Sequence, residues 1–517
     1  MISQIEKNTF EYQKKVSKKD RKSKAQFFTT LSIAQYMSSL SDVAVGKENL
    51  NILDCGAGTG ILTCSLIDKL IEEGFDGAIN VDLYENDEKV IGTLSKNMKL
   101  YTDKYKNLTI NIIQDNFILS NKEAWMNDGF EGIYDIVISN PPYKKLVKLS
   151  EESIAMSKVV HGQPNIYFLF MAMSIKLLKT GGEMIFITPR SFTSGAYFKA
   201  FRRYLLDNTV LTNIHIFNSR NNLFKGEEVL QETVITRAIK AFSGKVESNL
   251  FMIVESPEIC VTVDSEKENI KYDISLTISE DADFDHMQKI DVCCSDLITG
   301  CDNRFILLPS SLEEVEILKK LCRYTDNLTT LGFKLKTGKV VDFRAGEYLT
   351  QEKDGAVPLF WPDNFIDNRI TFVSNEDNFR YVISSVDSKS ILQENKDYIL
   401  VKRFTSKEES RRIQPALYNH VDFNDFDKIG VENHVNFIEK EKGYMSMEEQ
   451  YGIFCYFNST IVDKYYRIIN GNTQVNATEF NAIPMPAIDV VIAMGKDLLN
   501  SDDINTDTCN SIIEKYI

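Results

Sequence analysis

The tetrad Asn140-Pro141-Pro142-Tyr143 combines hydrogen-bond acceptors with an aromatic face. It follows an apolar run, residues 133–138, that reads as a buried parallel strand. Two successive prolines can neither continue a strand nor enter an ordinary helical turn. The chain must therefore leave the sheet stiffly at its carboxyl edge, where open α/β folds bind ligands. The Asn140 side-chain carbonyl and the Pro141 backbone carbonyl can both accept from one NH2 group. Tyr143 offers a flat face to a planar ring. Such a site suits the exocyclic amine of a nucleobase; its plain alternative is a strand-ending turn.

Three further strand ends carry residues of matching chemistry. Residues 51–65 read as a strand ending in Asp54, then Gly56, Gly58 and Gly60 before a helix. The glycines let backbone approach a ligand closely. Their spacing is neither the dinucleotide fingerprint nor a P-loop. A second strand, 79–84, ends in Glu85, placed to take both hydroxyls of a ribose. A third, 108–113, leads to Asp115 and Phe117, an acceptor for an amino group and a ring to pack on a base. Each acid alone is ordinarily a surface carboxylate. Four strands that all end in polar ligands are harder to explain so. Upstream, Phe27-Phe28-Thr29-Thr30 precedes a short helix that Thr30 or Ser32 can cap.

To hold these strand ends together the chain needs a sheet with covering helices. Strands at 184–188, 210–217 and 233–238, with a helix over 165–178, predict a parallel sheet with an antiparallel edge. Residues 1–24 read as a charged helix, and 144–164 as a polar loop able to cover the site. An acidic, turn-rich stretch over 246–290 reads as a connection between a first domain, 1–245, and a second, 291–517. In the second, short strands at 305–308, 340–343 and 398–401 and helices at 312–323 and 447–457 are expected, without βαβ repetition.

The 517 residues suffice for two or three cores, and no apolar run approaches a membrane span. The start reads as no signal peptide. The nine cysteines form no CxxC pair, which disfavours zinc and disulfide frameworks alike, and no metal is expected. The net charge of −15 argues against a protein that coats nucleic acid, yet leaves room for a basic cleft. Basic residues crowd at 14–24 and again at Lys402, Arg403, Lys407, Arg411 and Arg412.

In order, FFTT, a glycine turn, strand-end Glu, strand-end Asp, NPPY and a large C-terminal region resemble the gamma class of DNA amino-methyltransferases of bacterial restriction–modification systems. The resemblance covers about residues 20–245 and continues loosely through ENHVNFI (432–438) and the 456–486 segment, similar to target-recognition domains. It implies a class I S-adenosylmethionine-dependent methyltransferase fold, Rossmann-like with a mostly parallel sheet, and an α+β target-recognition domain. It implies S-adenosylmethionine as cofactor and N6 of a flipped adenine in duplex DNA as acceptor. By it, Phe27, Phe28 and Thr29 lie near the methionine end, and Asp54, Gly56 and Gly58 line the turn beneath. Glu85 takes the ribose, and Asp115 with Phe117 the cofactor adenine. Asn140, Pro141, Pro142 and Tyr143 serve the target base, with Phe224 on its other face. The turn DCGAGTG is richer in glycine than in many members.

The chemistry implied is direct transfer. Accepting both amine hydrogens directs the nitrogen lone pair at an activated methyl, with no covalent nucleophile. A cytosine-C5 enzyme would need a cysteine, usually after a proline; no Pro-Cys occurs. Candidate DNA contacts are Lys336 and Lys339 in a KTGK turn, Lys402, Arg403, Arg411 and Arg412, and Asn472 and Gln474 in an amide-rich segment. The expected partners are double-stranded DNA and a separately encoded endonuclease, with the protein a bacterial cytoplasmic monomer that meets the nucleoid through DNA. Cytosine N4, an RNA base or a protein glutamine remain alternative acceptors. A DNA-binding protein with a degenerate cofactor fold remains a different class.

Overall fold

A computed structural model describes residues 1–23, 27–42, 46–218, 232–246, 249–253, 262–264, 269–282, 284–300, 303–373, 378–406, 408–470 and 473–517. The chain divides into two compact units, Met1–Ser310 and Ser311–Ile517.

The first unit is built on one nine-stranded sheet. Its first seven strands are β1 (Asn49–Asp54), β2 (Ala78–Tyr84), β3 (Leu108–Ile113), β4 (Tyr134–Ser139), β5 (Leu178–Pro189), β6 (Thr209–Phe217) and β7 (Thr233–Lys240). They lie in the order 3-2-1-4-5-7-6, with β7 antiparallel between β5 and β6. One antiparallel strand, β7, is thus internal, and a second, Gln288–Cys293, stands at the edge of the sheet, as expected. Two strands from the supposed connecting region, Asp273–Ser279 and Gln288–Cys293, continue the sheet beyond β6. Residues 246–290 are therefore no plain linker, and the first unit runs to about 310. The alternation Ile274, Leu276, Ile278 buries one side of that strand and was hidden among acidic neighbours.

β4 is buried along its whole length, as a central parallel strand must be. The one charge in the run, Asp135, is neutralised by Lys47 at 2.5 Å and Lys179 at 2.8 Å and accepts from the Asn51 amide. The helix Ile166–Leu177 is apolar on nearly every face and buried accordingly. At the N-terminus, α1 (Ile2–Lys15) buries Ile5, Asn8, Thr9 and Tyr12 along one stripe. The chain extends at Val16 and resumes as α2 (Lys18–Ser23), so the charged N-terminal helix is two helices. Next come α3 (Leu31–Ser39), capped by Thr30, α4 (Ile61–Glu72) after the glycine turn, and α5 (Glu88–Lys104), capped by Asp87. No helix among the described residues is long and apolar enough to cross a membrane.

The second unit contains a six-stranded and a five-stranded sheet followed by helices. Residues 340–343, expected as a strand, give a single bridge at Val340 and then a helical turn, Asp342–Ala345. Helices Met447–Phe457 and Ile488–Leu499 touch backbone to backbone. A Cβ on Gly452 would stand 1.9 Å from the Val491 carbonyl oxygen, and one on Gly495 1.9 Å from that of Glu448. Alanine gains about 1 kcal/mol of helix propensity over glycine, but overpacking costs about 1–3 kcal/mol. At this distance, against backbone, the clash wins. Gly452→Ala should lower the urea midpoint of the second unit; an unchanged or raised midpoint would refute the close contact.

Candidate active site

A cavity of about 630 Å³ opens at the carboxyl ends of β1 to β4. Gly56 and Gly58 contribute from the turn after β1, Tyr84 and Glu85 from the end of β2, and Asp115, Asn116 and Phe117 from beyond β3. Asn140 and Pro142 follow β4, and Phe27 and Phe28 come from the N-terminal segment. Pro141 and Tyr143 belong to the same turn as Asn140 but do not line the cavity. The strand ends are neighbours because the order 3-2-1-4 sets them side by side in parallel.

The glycine turn needs glycine at two places. Gly58 and Gly60 have φ of +53° and +82°, a region that side chains disfavour. A Cβ on Gly60 would also meet Met98 Cε at 2.4 Å. Asp54 lies fully buried under the turn, and its Oδ2 accepts from the Thr63 hydroxyl at 2.9 Å. Its Oδ1 has no hydrogen-bond partner; the Gly56 amide approaches the carboxylate without completing a bond to that atom. Burial pushes Asp54 up to about 7, against the stabilising Thr63 hydroxyl and Gly56 amide.

That shift has a sign. A carboxyl whose folded pKa is raised from 3.8 to about 7 stabilises the fold below its unfolded pKa, and this is lost as pH rises toward 7. The full loss is at most about 4 kcal/mol at 1.36 kcal/mol per unit. Asp54→Asn keeps an acceptor for Thr63 and removes the charge. The cofactor-free variant should therefore come closest to wild type near pH 4 and exceed it in denaturant midpoint by a growing margin up to pH 8. Parallel midpoints across that range would show that Asp54 is not a buried, reluctant carboxylate.

Glu85 is held from two sides. Oε2 accepts from the Gly58 amide at 3.0 Å and Oε1 from the Asp87 amide at 2.8 Å. Burial nevertheless raises its pKa. Asp115 is exposed and held below the usual carboxylate range by the Ser120 hydroxyl and then the Asn116 amide. Phe117 is buried edge-on to Tyr84, with ring centroids 5.1 Å apart, and against Phe170 at 5.0 Å.

The asparagine amide is fixed by its neighbours. Nδ2 of Asn140 donates to the Phe27 carbonyl at 2.8 Å and to Thr29 Oγ1 at 3.1 Å. Oδ1 faces the Tyr143 hydroxyl at 2.7 Å, which also reaches the Ile187 carbonyl at 3.0 Å. The Tyr143 ring is stacked on Phe27, with centroids 5.5 Å apart and planes 24° apart. Burial raises the Tyr143 phenol well above its ordinary value, so it stays a hydrogen-bond donor. The face expected to meet a planar ligand is thus covered by Phe27. Phe224 lies outside the described residues.

Several wall and support residues were not anticipated. Thr9 and Thr59 share a hydrogen bond of 2.7 Å, Asn8 donates to Asn97 at 2.7 Å, and Tyr12 packs edge-on to Phe28 at 5.5 Å. Helix α1 therefore braces the glycine turn and one aromatic of the cavity. The helical spacing of Ile5, Asn8, Thr9 and Tyr12 was the available signal. Lys144 and Leu146 enter the wall from the loop after the tetrad, and Glu152, also in the wall, accepts from Asn116 at 3.0 Å.

The basic residues of the second unit separate by burial. Arg411 spends its guanidinium on the carbonyls of Ile413, Phe457, Asn458 and Ser459 and on the Thr506 hydroxyl. Arg412 is fully buried on Thr405 and Asn470, with its backbone amide on Asp463. These two build the fold and are not free for phosphate or guanine, which corrects the expectation from sequence. Lys336 is ion-paired to Glu439. Asn470, from the amide-rich segment, is buried on Arg412, Tyr466 and Glu479. Arg403 bonds to the carbonyl and side chain of Asn433, and Lys402 lies over the Phe365 ring. Lys339 and Gln474 are exposed. Asn472 and Lys407 lie outside the described residues.

A seven-stranded 3-2-1-4-5-7-6 core with an acidic, aromatic-lined cavity at its carboxyl edge defines a class I methyltransferase. The Eco57I restriction-modification methylase family matches residues 22–224. The Type II methyltransferase M.BsuBI of Bacillus subtilis is 32% identical over 511 residues, 96% of this chain and 95% of that protein. M.PstI of Providencia stuartii is 32% identical over 467 residues, 89% and 86% of the two chains. Among solved structures, a nuclease-deletion mutant of the Type ISP restriction-modification enzyme LlaGI with a DNA substrate mimic is 10% identical. It covers 92% of this chain and 54% of its own, with a TM-score of 0.48. The chain belongs to the type II restriction–modification methyltransferases, and its cofactor is S-adenosylmethionine.

The cavity fits that cofactor. Glu85, Asp87 and Asp115 give its wall an anionic lining for a cationic ligand. The wall offers carboxylate acceptors at Glu85 and rings at Tyr84 and Phe117, the set of groups that a ribose and a base would need. When bound, S-adenosylmethionine supplies a methyl group made electrophilic by its sulfonium.

Proposed function

We propose that this methyltransferase modifies N6 of an adenine extruded from duplex DNA. The observation that carries the reading is the amide of Asn140. Its nitrogen is committed to Phe27 and Thr29, so its oxygen, met by the Tyr143 hydroxyl, is the atom it can offer an amine once that hydroxyl turns to Ile187. A paired and stacked amine could not reach such an atom, so the base must leave the helix. Asn140 Oδ1 would accept one amine hydrogen and the Pro141 carbonyl the other. That concentrates the nitrogen lone pair, which is otherwise delocalised into the ring. The nitrogen would gain a bond to the methyl carbon as the carbon–sulfur bond breaks and its electron pair stays on sulfur, and it would lose one proton to solvent water. Tyr143 would stack on the base, contributing ~1–3 kcal/mol, once Phe27 yields its face. Glu85 would hold the ribose of the cofactor, and Asp115 with Phe117 its adenine.

The second unit is assigned to target recognition. Residues 338–340, 403–405, 432–435 and 473–475 are joined by backbone hydrogen bonds and two β-bridges into a single edge. That edge carries Lys339, Arg403, exposed Phe404 and Gln474. Cations, an aromatic and an amide suit a nucleic-acid surface. The relatives are named as type II methyltransferases, which supports a separately encoded endonuclease as partner; the enzyme itself is proposed to act as a monomer, as one-sided modification of a strand requires one site.

The test is methylome sequencing of a host expressing the protein, with an Asn140→Ala control. N6-methyladenine in one sequence context, absent from the control, is the expected result. N4-methylcytosine would reassign the base. No modification of DNA in any context would overturn the reading.

A further inference from the structure

The turn after the catalytic tetrad has a surface that the methyl-transfer chemistry does not use. Residues 144–146 are pinned to 164–166: the Leu146 amide donates to the Pro164 carbonyl, the Ile166 amide to that of Lys144, and Lys145 bridges Asn165. The far side is closed by the Ser150 amide and the Ser153 hydroxyl, both on the Val147 carbonyl at 2.9 and 3.1 Å. Between these anchors, Val147 and Leu149 are 74% and 79% exposed. A rigid turn that displays two branched apolar side chains to water departs from the scattered single exposures of an ordinary surface.

Charge adds an independent observation. Lys144, Lys145 and Lys148 are exposed and have no ion-pair or hydrogen-bond partner through their side chains among the described residues. Lysines elsewhere in the unit are in part paired, Lys47 and Lys179 on Asp135 and Lys158 on Asp128, and in part single, as Lys96 and Lys122 are; here three single ones cluster within five residues. Three unpaired cations around an apolar tip, in a chain of net charge −15, suit a polyanion with an apolar interior. Because Lys144 and Leu146 also line the cavity, the turn stands at its lip, four to nine residues beyond Asn140.

We propose that the 144–149 turn is a strand-separating wedge: its lysines hold phosphates beside the target nucleotide while Val147 and Leu149 fill the gap the extruded base leaves. The reading rests on DNA as substrate. Unstacking a base exposes its neighbours to water, and apolar side chains pressed between base steps replace the lost contact.

The experiment uses the full-length protein and a duplex carrying the sequence found methylated in the host, with 2-aminopurine at the target position. Wild type should raise its fluorescence on binding. A wild type that neither raises it nor methylates the parent duplex would defeat the DNA reading itself, and with it the wedge. Given a responsive wild type, Val147→Ser with Leu149→Ser should lose the rise and methylate the paired duplex at least tenfold more slowly. The same variant should recover on a duplex with a mismatch at the target and keep its affinity for S-adenosylhomocysteine. Lys145→Gln with Lys148→Gln should flatten the dependence of log affinity on log salt by about 1.8, at roughly 0.9 per phosphate contact. Equal rates on paired and mismatched duplexes, or an unchanged salt slope, would overturn the proposal. So would a wild-type dimer that the Val147 and Leu149 substitutions dissociate, which would assign the tip to self-association.

Discussion

Asn140→Ala should lower the rate of methyl transfer by at least about a hundredfold, the scale seen when one preorganised hydrogen-bonding group is removed from a reacting centre. The loss should fall on kcat, because the acceptor matters most as the nitrogen becomes pyramidal. Asn140 holds its oxygen in place through two donors on the other side of the amide, to Phe27 and Thr29. The oxygen is met by Tyr143, whose single hydroxyl proton has a second acceptor in the Ile187 carbonyl. Turning that proton to Ile187 frees Oδ1 for an amine at the cost of one ordinary bond. Alanine also removes the brace on Phe27 and Thr29, so affinity for S-adenosylhomocysteine should fall a few-fold. Asn140→Asp restores the acceptor but sets a second oxygen against the Phe27 carbonyl, and should lie between alanine and wild type. Wild-type kcat in the alanine variant would remove Asn140 from the chemistry. A fall of more than tenfold in cofactor affinity, with kcat intact, would move it to the cofactor site.

What could be read from sequence was local. Consecutive prolines, glycines before a helix, and acids that close apolar runs are constrained by neighbours a few residues away, so the strand ends were legible and one cavity joins them. Partnerships across long separations were not. Arg411 looked like a free cation in a basic cluster, but all its acceptors save the Ile413 carbonyl lie 46 to 95 residues on, at Phe457 through Thr506. Phe27 reads as a cofactor neighbour from its motif, yet its stacking on Tyr143 depends on how the N-terminal segment crosses the sheet. Strand Asp273–Ser279 alternates as a strand should, but it sits in a stretch whose acids and turns suggested a linker. Its pairing with β6 overrides that composition, because burying one apolar face in an existing sheet outweighs the average polarity of the region.

Glu85→Gln should weaken binding of S-adenosylhomocysteine by about 10- to 100-fold, the equivalent of one charge-assisted hydrogen bond at 1.5–3 kcal/mol. The substitution conserves size, so the effect isolates hydrogen-bond polarity. In the native site both oxygens already accept from backbone, one from Gly58 and one from Asp87. Each oxygen has a further lone pair, and those remaining positions are what ribose hydroxyls would use. Glutamine must turn its NH2 toward one of the two amides. Facing Gly58, it pushes the glycine turn away; facing Asp87, it disturbs the cap of α5, where Asp87 accepts from the Lys89 amide. Either way one ribose acceptor becomes a donor. Burial already disfavours the Glu85 carboxylate, which offsets part of that clash, and the thermal midpoint without ligand shows that the variant is folded. Calorimetry that finds unchanged affinity in a folded Glu85→Gln protein would place the ribose elsewhere in the cavity, with Asp87 the nearest remaining carboxylate at the same helix start.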